Sequence, residues 1–288
     1  MHRFAPVLVL AVLTAGCAGS SATPTAVDTT PAPTAAAPGS EPSPTTAAAS
    51  PSTAGTAARA IYYLGDGENW ARLYREFHAR PATTAVVRDA VTAMLTVKPN
   101  DSDYISIWPA GTAVRGARVS GSTAYVDLSR EALNGHTGGQ GEEASLQQLV
   151  YTVTAAAPSV RDVQLLIEGR TVDTLWGHVG TRKPLARRMA AEVLGPVWIL
   201  TPANGTVARG GTFGGEASVF EATVSWELRQ GGRVVKKGFT NAAQGAPGRG
   251  PWTAKADVPP GSYVLRAFES SAKDGSETFV DDKPLTVT

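Results

Sequence analysis

Residues 18–59 are built almost wholly from Ala, Ser, Thr, Pro and Gly. Their only charges are Asp28, Glu41 and Arg59, and no large aliphatic residue follows Val27. Such a stretch buries too little apolar surface to offset chain entropy, so it reads as a disordered tether. A flexible-coil estimate spans about 35 Å, and the prolines extend it. Folding is therefore confined to residues 60–288. A 288-residue chain with 42% hydrophobic residues fills about two ordinary domains.

The segment before the tether reads as an address. Met1-His2-Arg3 carries one firm positive charge, and residues 4–13 are apolar except for Pro6. The run is too short for a membrane span, which needs about 20 residues, and fits a secretory signal. Leu13-Thr14-Ala15-Gly16-Cys17 then sets small residues before the only cysteine of the chain. This pattern resembles the lipobox of bacterial lipoproteins, with Thr14 standing where the pattern prefers an aliphatic residue. The resemblance implies cleavage after Gly16 and diacylglyceryl and acyl (palmitate-type) chains on Cys17. Two chains give the stable anchoring that one cannot. The expected organisation is a signal peptide over 1–16, a lipidated tether over 17–59, and globular regions over 60–185 and 193–288.

In the first region Ile61-Tyr62-Tyr63-Leu64 opens as a strand, and a polar stretch carries on to Pro81. Val87, Ala90, Val91, Met94 and Leu95 recur at helical spacing. Val114 to Val119 and Thr123 to Leu128 read as a hairpin around Ser120-Gly121-Ser122. Leu146, Leu149, Val150 and Val153 line a second helix stopped by Pro158. Val163, Leu165 and Ile167 alternate in a last strand. The pattern predicts an α+β domain with a mixed sheet and both helices on one face.

These segments resemble the GerMN domain of sporulation and spore germination proteins. The resemblance is carried by Ile61-Tyr62-Tyr63-Leu64, the helix from Thr84 to Leu95, and Ile107-Trp108-Pro109-Ala110-Gly111-Thr112. Ala124-Tyr125-Val126-Asp127-Leu128-Ser129, Leu149-Val150-Tyr151-Thr152 and the strand ending at Gly169 complete it. It implies a non-catalytic domain of envelope assemblies. The polar insert from Gly65 to Pro81, with Trp70 and Tyr74, departs from the pattern and is read as this chain's own contact surface.

Helical periodicity is absent after residue 193. Phe220, Ala222, Val224, Trp226 and Leu228 alternate with polar residues as a long half-buried strand. Glycine and proline punctuate further strands at the spacing of a β-sandwich. Ile199-Leu200-Thr201-Pro202, Gly215-Glu216-Ala217-Ser218-Val219-Phe220-Glu221-Ala222 and Phe268-Glu269-Ser270-Ser271 resemble Gmad2, an immunoglobulin-like domain. No cysteine pair is available, so packing alone must hold its sheets.

Lys+Arg total 26 against 25 Asp+Glu, and neither sign forms a run, which sets nucleic-acid binding aside. His78, His136 and His178 lack zinc spacing and read as solvated loop residues. No catalytic residue, metal site or cofactor is expected. Gly139-Gln140-Gly141-Glu142 fits a loose dinucleotide pattern, but Glu142 and Glu143 would face pyrophosphate. They read instead as charges complementing a helix N-terminus. Trp226 reads as core. Trp70, Trp108 and Trp252 fall in or near loops and are open to packing or contact roles; with Tyr74 they are the candidate interaction surface. The expectation is a lipid-anchored protein on the outer face of the cytoplasmic membrane that docks on an envelope protein. The alternative is a cell-wall glycan-binding module using loop tryptophans.

Overall fold

The computed structural model describes residues 55–288. Gly16, Cys17 and the tether up to residue 54 lie outside them. The first lobe opens with β1 (Thr56–Gly65), five residues before the Ile61 start expected, paired antiparallel with β2 (Leu73–Pro81). The stretch read as a polar insert is thus largely a strand. Its apolar content is low because β2 lies at a sheet edge, where Leu73, Tyr74 and Glu76 alone are buried.

β3 (Tyr104–Ile105) pairs with the other side of β1, but only at Leu64 and Gly65. The rest of the lobe is α1 (Val86–Thr96), β4 (Val114–Ser120), β5 (Thr123–Leu128), α2 (Gly139–Ala156), β6 (Asp162–Ile167) and β7 (Leu185–Ala186). β5 and β6 run parallel across α2, whereas the β4–β5 and β6–β7 pairs are antiparallel. The lobe is therefore α+β, as expected, with one mixed sheet. The strands do not form a single layer, however: β2-β1-β3 is a separate sheet, and both helices contact strands of the two sheets.

The helical stripes are where the periodicity puts them. Val87, Ala90, Val91 and Met94 of α1 are buried, and so are Leu146, Leu149, Val150 and Val153 of α2. α2 also buries polar residues, for a local reason. β1 has no strand beside Tyr62 on the β3 side. Tyr62 N–H donates to Thr152 Oγ1 at 3.2 Å, and Gln148 Nε2 donates to the Tyr62 carbonyl at 2.8 Å. Two residues one helical turn apart thus satisfy backbone groups that would otherwise be buried unpaired.

α3 (Ala190–Val193) leads into the second lobe, an all-β sandwich. One sheet is ordered β13-β10-β8, from β8 (Val197–Thr201), β10 (Thr212–Ala217) and β13 (Gly250–Lys255). The other is ordered β12-β11-β14-β15-β9. It comprises β9 (Thr206–Val207), β11 (Thr223–Gln230), β12 (Arg233–Asn241), β14 (Gly261–Ser270) and β15 (Glu277–Val287). Val224, Trp226 and Leu228 point inward, and the Phe213 ring meets Trp226 edge-on at 5.2 Å. Each such buried side chain contributes about 1.5–3 kcal/mol. The strand expected to begin at Phe220 begins instead at Thr223. Glu221 and Ala222 have φ of 51° and 59°, and this left-handed turn leaves Phe220 exposed.

Candidate interaction site at the seam between the two lobes

β8 belongs to both cores. Val197 and Ile199 point into the sandwich, whereas Trp198, one residue out of phase, packs in the core of the first lobe. Its ring lies 6.4 Å from Tyr62 and 6.3 Å from Tyr74. The two-residue period of a strand makes this sharing automatic once β8 lies between the lobes.

A buried polar chain runs along the same seam. The Tyr104 hydroxyl donates to both Asp281 oxygens at 2.9 and 3.1 Å, and Ile199 N–H donates to Asp281 Oδ2 at 2.6 Å. Lys283 Nζ stands 3.4 Å from Asp101 Oδ2. Asp101 and Asn100 N–H groups donate to Glu76 at 2.9 and 2.8 Å, and the His78 ring lies 2.8 Å from Glu76 Oε2. Asp101, Asp281 and Lys283 are all buried. Burial raises the Asp101 carboxyl to about 6, against the pull of Lys283. Burial, reinforced by the Asp101 charge, lifts Asp281 well above the usual range. Burial also pushes Glu76 upward, but His78 and the two N–H donors outweigh it and hold this carboxyl low.

The insert around Trp70 contributes directly. Asn69 Nδ2 donates to the Val280 carbonyl at 2.6 Å, and Arg75 pairs with Glu216 of the sandwich. The contact surface expected of this insert is thus, in large part, a contact with the chain's own second lobe.

Of the four candidate surface residues, Tyr74, Trp108 and Trp252 are buried, and only Trp70 is open to solvent. Each buried ring has its own reason. Tyr74 stacks on Tyr104 at 4.7 Å, Trp108 Nε1 donates to Gln148, and Trp252 Nε1 donates to the Trp198 carbonyl. The residues that sequence reasoning missed are Met189, Phe220 and Phe279, which are 67%, 65% and 42% exposed.

Trp70 lines one of two grooves, and Phe220 and Phe279 line the other. One, of about 430 Å³, lies between Trp70, Arg72, Gln147 and Arg188. The other, of about 440 Å³, lies between Arg72, Leu194, Phe220, Pro247, Arg249 and Phe279. The single local signal was an aromatic residue following a glycine-rich or turn segment.

One of the three histidines is not a solvated loop residue: His78, on β2, bridges Glu76 and the Tyr63 hydroxyl. His136 and His178 are exposed loop residues, although the His178 ring also faces a buried carboxylate. That carboxylate is Glu142, read from sequence as a helix-dipole charge. It accepts N–H bonds from Leu175, Trp176 and His178 at 3.0, 2.8 and 2.8 Å, and the His178 ring at 3.0 Å. Burial works against the charge, but these donors together hold the carboxyl below its ordinary value. Glu142 thus ties the 169–181 loop to α2. Among the described residues no cluster of His, Cys, Asp and Glu is arranged to hold a metal ion. None of their helices is long and apolar enough to cross a membrane.

Comparison with curated proteins returns no significant match. Solved structures similar to the chain include the tandem GerMN domains of the sporulation protein GerM from Bacillus subtilis. That match has 16% identity and a TM-score of 0.40, and covers 70% of this chain and 61% of that one. The first GerMN domain of the same protein matches at 20% identity and a TM-score of 0.39, covering 46% and 98%. A candidate lipoprotein from Clostridium perfringens matches at 18% and 0.33, covering 48% and 93%. The Germane family, described as sporulation and spore germination, matches residues 60–173. Gmad2, described as the immunoglobulin-like domain of bacterial spore germination, matches residues 196–276. With the mixed α+β lobe first and the sandwich second, the chain belongs to the proteins that carry a GerMN domain followed by a Gmad2 immunoglobulin-like domain.

Proposed function

We propose that the chain is a non-enzymatic envelope protein, held on the outer side of the cytoplasmic membrane by lipid on Cys17. In this reading its two domains offer a protein partner one continuous surface. The observation that carries the reading is the seam: two domains locked by a shared strand and a buried polar chain, with Trp70, Met189, Phe220 and Phe279 exposed around it. Exposed aromatic and Met side chains beside a polar rim are the usual composition of a protein contact. Both family descriptions name spore processes and neither names a reaction.

Two experiments test this. A photo-crosslinking residue at Phe220 in living cells should give a discrete adduct with an envelope protein, and one at Val119, on another face, should not. Equal labelling at both positions, or none at either, refutes the surface. Cys17→Ser should move the protein from the membrane fraction to the soluble fraction; unchanged membrane partition refutes the anchor. A glycan-binding role would now rest on Trp70 alone, since Trp108 and Trp252 are buried. It predicts that Trp70→Ala abolishes a fluorescence response to peptidoglycan fragments.

A further inference from the structure

The second seam groove holds an unmatched cation. Arg249, in the segment before β13, lines it with its guanidinium 4.5 Å above the Trp198 ring. Arg249 Nη2 donates to the Gly195 carbonyl at 2.7 Å, while Nε and Nη1 are buried with no acceptor among the described residues. The carboxylate acting on it, Glu216, is already bonded to Arg75.

Arg72 in the same wall gives its Nη1 donors to the carbonyls of Ala191 and Glu192, at 3.0 and 2.6 Å, and pairs with no carboxylate among the described residues. The acid of the groove, Glu269, is engaged by Phe220 N–H at 2.8 Å. A guanidinium removed from water without a counter-ion is costly, and a fork of unused donors fits a carboxylate.

The other walls are apolar: Leu194, Val219, Phe220, Pro247 and Phe279. Phe279 itself has φ 55°, and Phe220 precedes two left-handed residues, none of them glycine. Backbone held in this sparsely populated region around one groove is the kind of strain that marks a ligand clamp.

We propose that this groove receives a protein segment bearing a carboxylate beside an apolar side chain, the carboxylate meeting Arg249 and Arg72 and the apolar group lying between Phe220 and Phe279. The proposal rests on the protein-interaction reading above and adds the partner's chemistry.

The test uses the purified full chain in detergent, with N-acetyl-phenylalanine as probe. A fragment of this size should bind with a Kd on the order of 1–10 mM. The expected result is a saturable shift of the Arg249 Nε–H resonance, about tenfold weaker for N-acetyl-phenylalanine amide. The accompanying shift of the Trp198 Nε1–H resonance, whose ring lies under the guanidinium, should be lost in Arg249→Met, a variant that keeps an unbranched stem against Trp198, with near-ultraviolet circular dichroism verifying its fold. Equal response to acid and amide, no response up to about 50 mM, or an equal response to inorganic phosphate would overturn the proposal. Should the Phe220 crosslink persist in cells while the acid shows no preference, carboxylate recognition falls and the interaction reading stands. Should the crosslink vanish in Arg249→Met, both are supported.

Discussion

Tyr104→Phe removes one oxygen from the seam and nothing else. The lost hydroxyl donates to both oxygens of Asp281, which is then left with Ile199 N–H as its hydrogen-bond donor. Removing one partner of a buried hydrogen bond costs about 1–3 kcal/mol, so the variant should lose about 2 kcal/mol. Asp281→Ala strips the acceptor from two buried donors and opens a small void; relief from burying a polar carboxyl offsets part of this, leaving about 3 kcal/mol. The double variant loses the shared bond only once, so it should cost about 3.5 kcal/mol rather than 5, a coupling of about 1.5 kcal/mol. Urea unfolding of the four proteins measures this, followed in parallel by tryptophan fluorescence and far-ultraviolet circular dichroism. In the parent the two probes should coincide, since the lobes share Trp198 and should unfold together. A coupling below about 0.3 kcal/mol, within the additivity of independent sites, would refute the claim that this contact holds the lobes together.

The same seam predicts a pH dependence. Asp101 titrates at about 6 when folded and at about 3.9 when unfolded, so the folded state keeps its proton longer. Its contribution is full below about pH 4 and is lost as pH rises through 6, up to about 3 kcal/mol, with Asp281 acting in the same direction. The urea midpoint should therefore fall less steeply between these values in Asp101→Asn than in the parent; equal slopes would contradict this. Glu142→Gln should cost about 2–4 kcal/mol, and hydrogen exchange at Leu175, Trp176 and His178 amides should accelerate while α1 is unchanged. Gly215→Ala should destabilise by more than about 2 kcal/mol, because an added Cβ would sit 1.6 Å from the Trp198 carbonyl oxygen; a neutral thermal melt would contradict the packing.

The elements with strong local periodicity were legible without coordinates. α1, α2, the Ser120-Gly121-Ser122 hairpin and the alternation in β6 and β11 each carry an apolar stripe that only one secondary structure can bury. β2 was not legible. An edge strand with three buried residues, one of them Glu76, carries little of that signal. The turn at Glu221 and Ala222 escaped for the opposite reason: Phe220 and Ala222 continue an alternation that a left-handed backbone interrupts. The candidate site fared worst. Three tryptophans near loops and Tyr74 of the polar insert were selected, and three of the four are packing residues.

By itself the sequence determined the order of elements, the α+β then all-β division, and the stripes that each core would use. These follow from propensity and periodicity, which act over a few residues. Only the tertiary structure decided that Trp198 serves the first core while its neighbours serve the second, and that Glu142 binds amides 33–36 residues away. It also decided that Asp281 finds Tyr104 across 177 positions. Charge and aromaticity give a residue something to contribute, but burial and partners are set by what the rest of the chain brings beside it, and no local pattern encodes that.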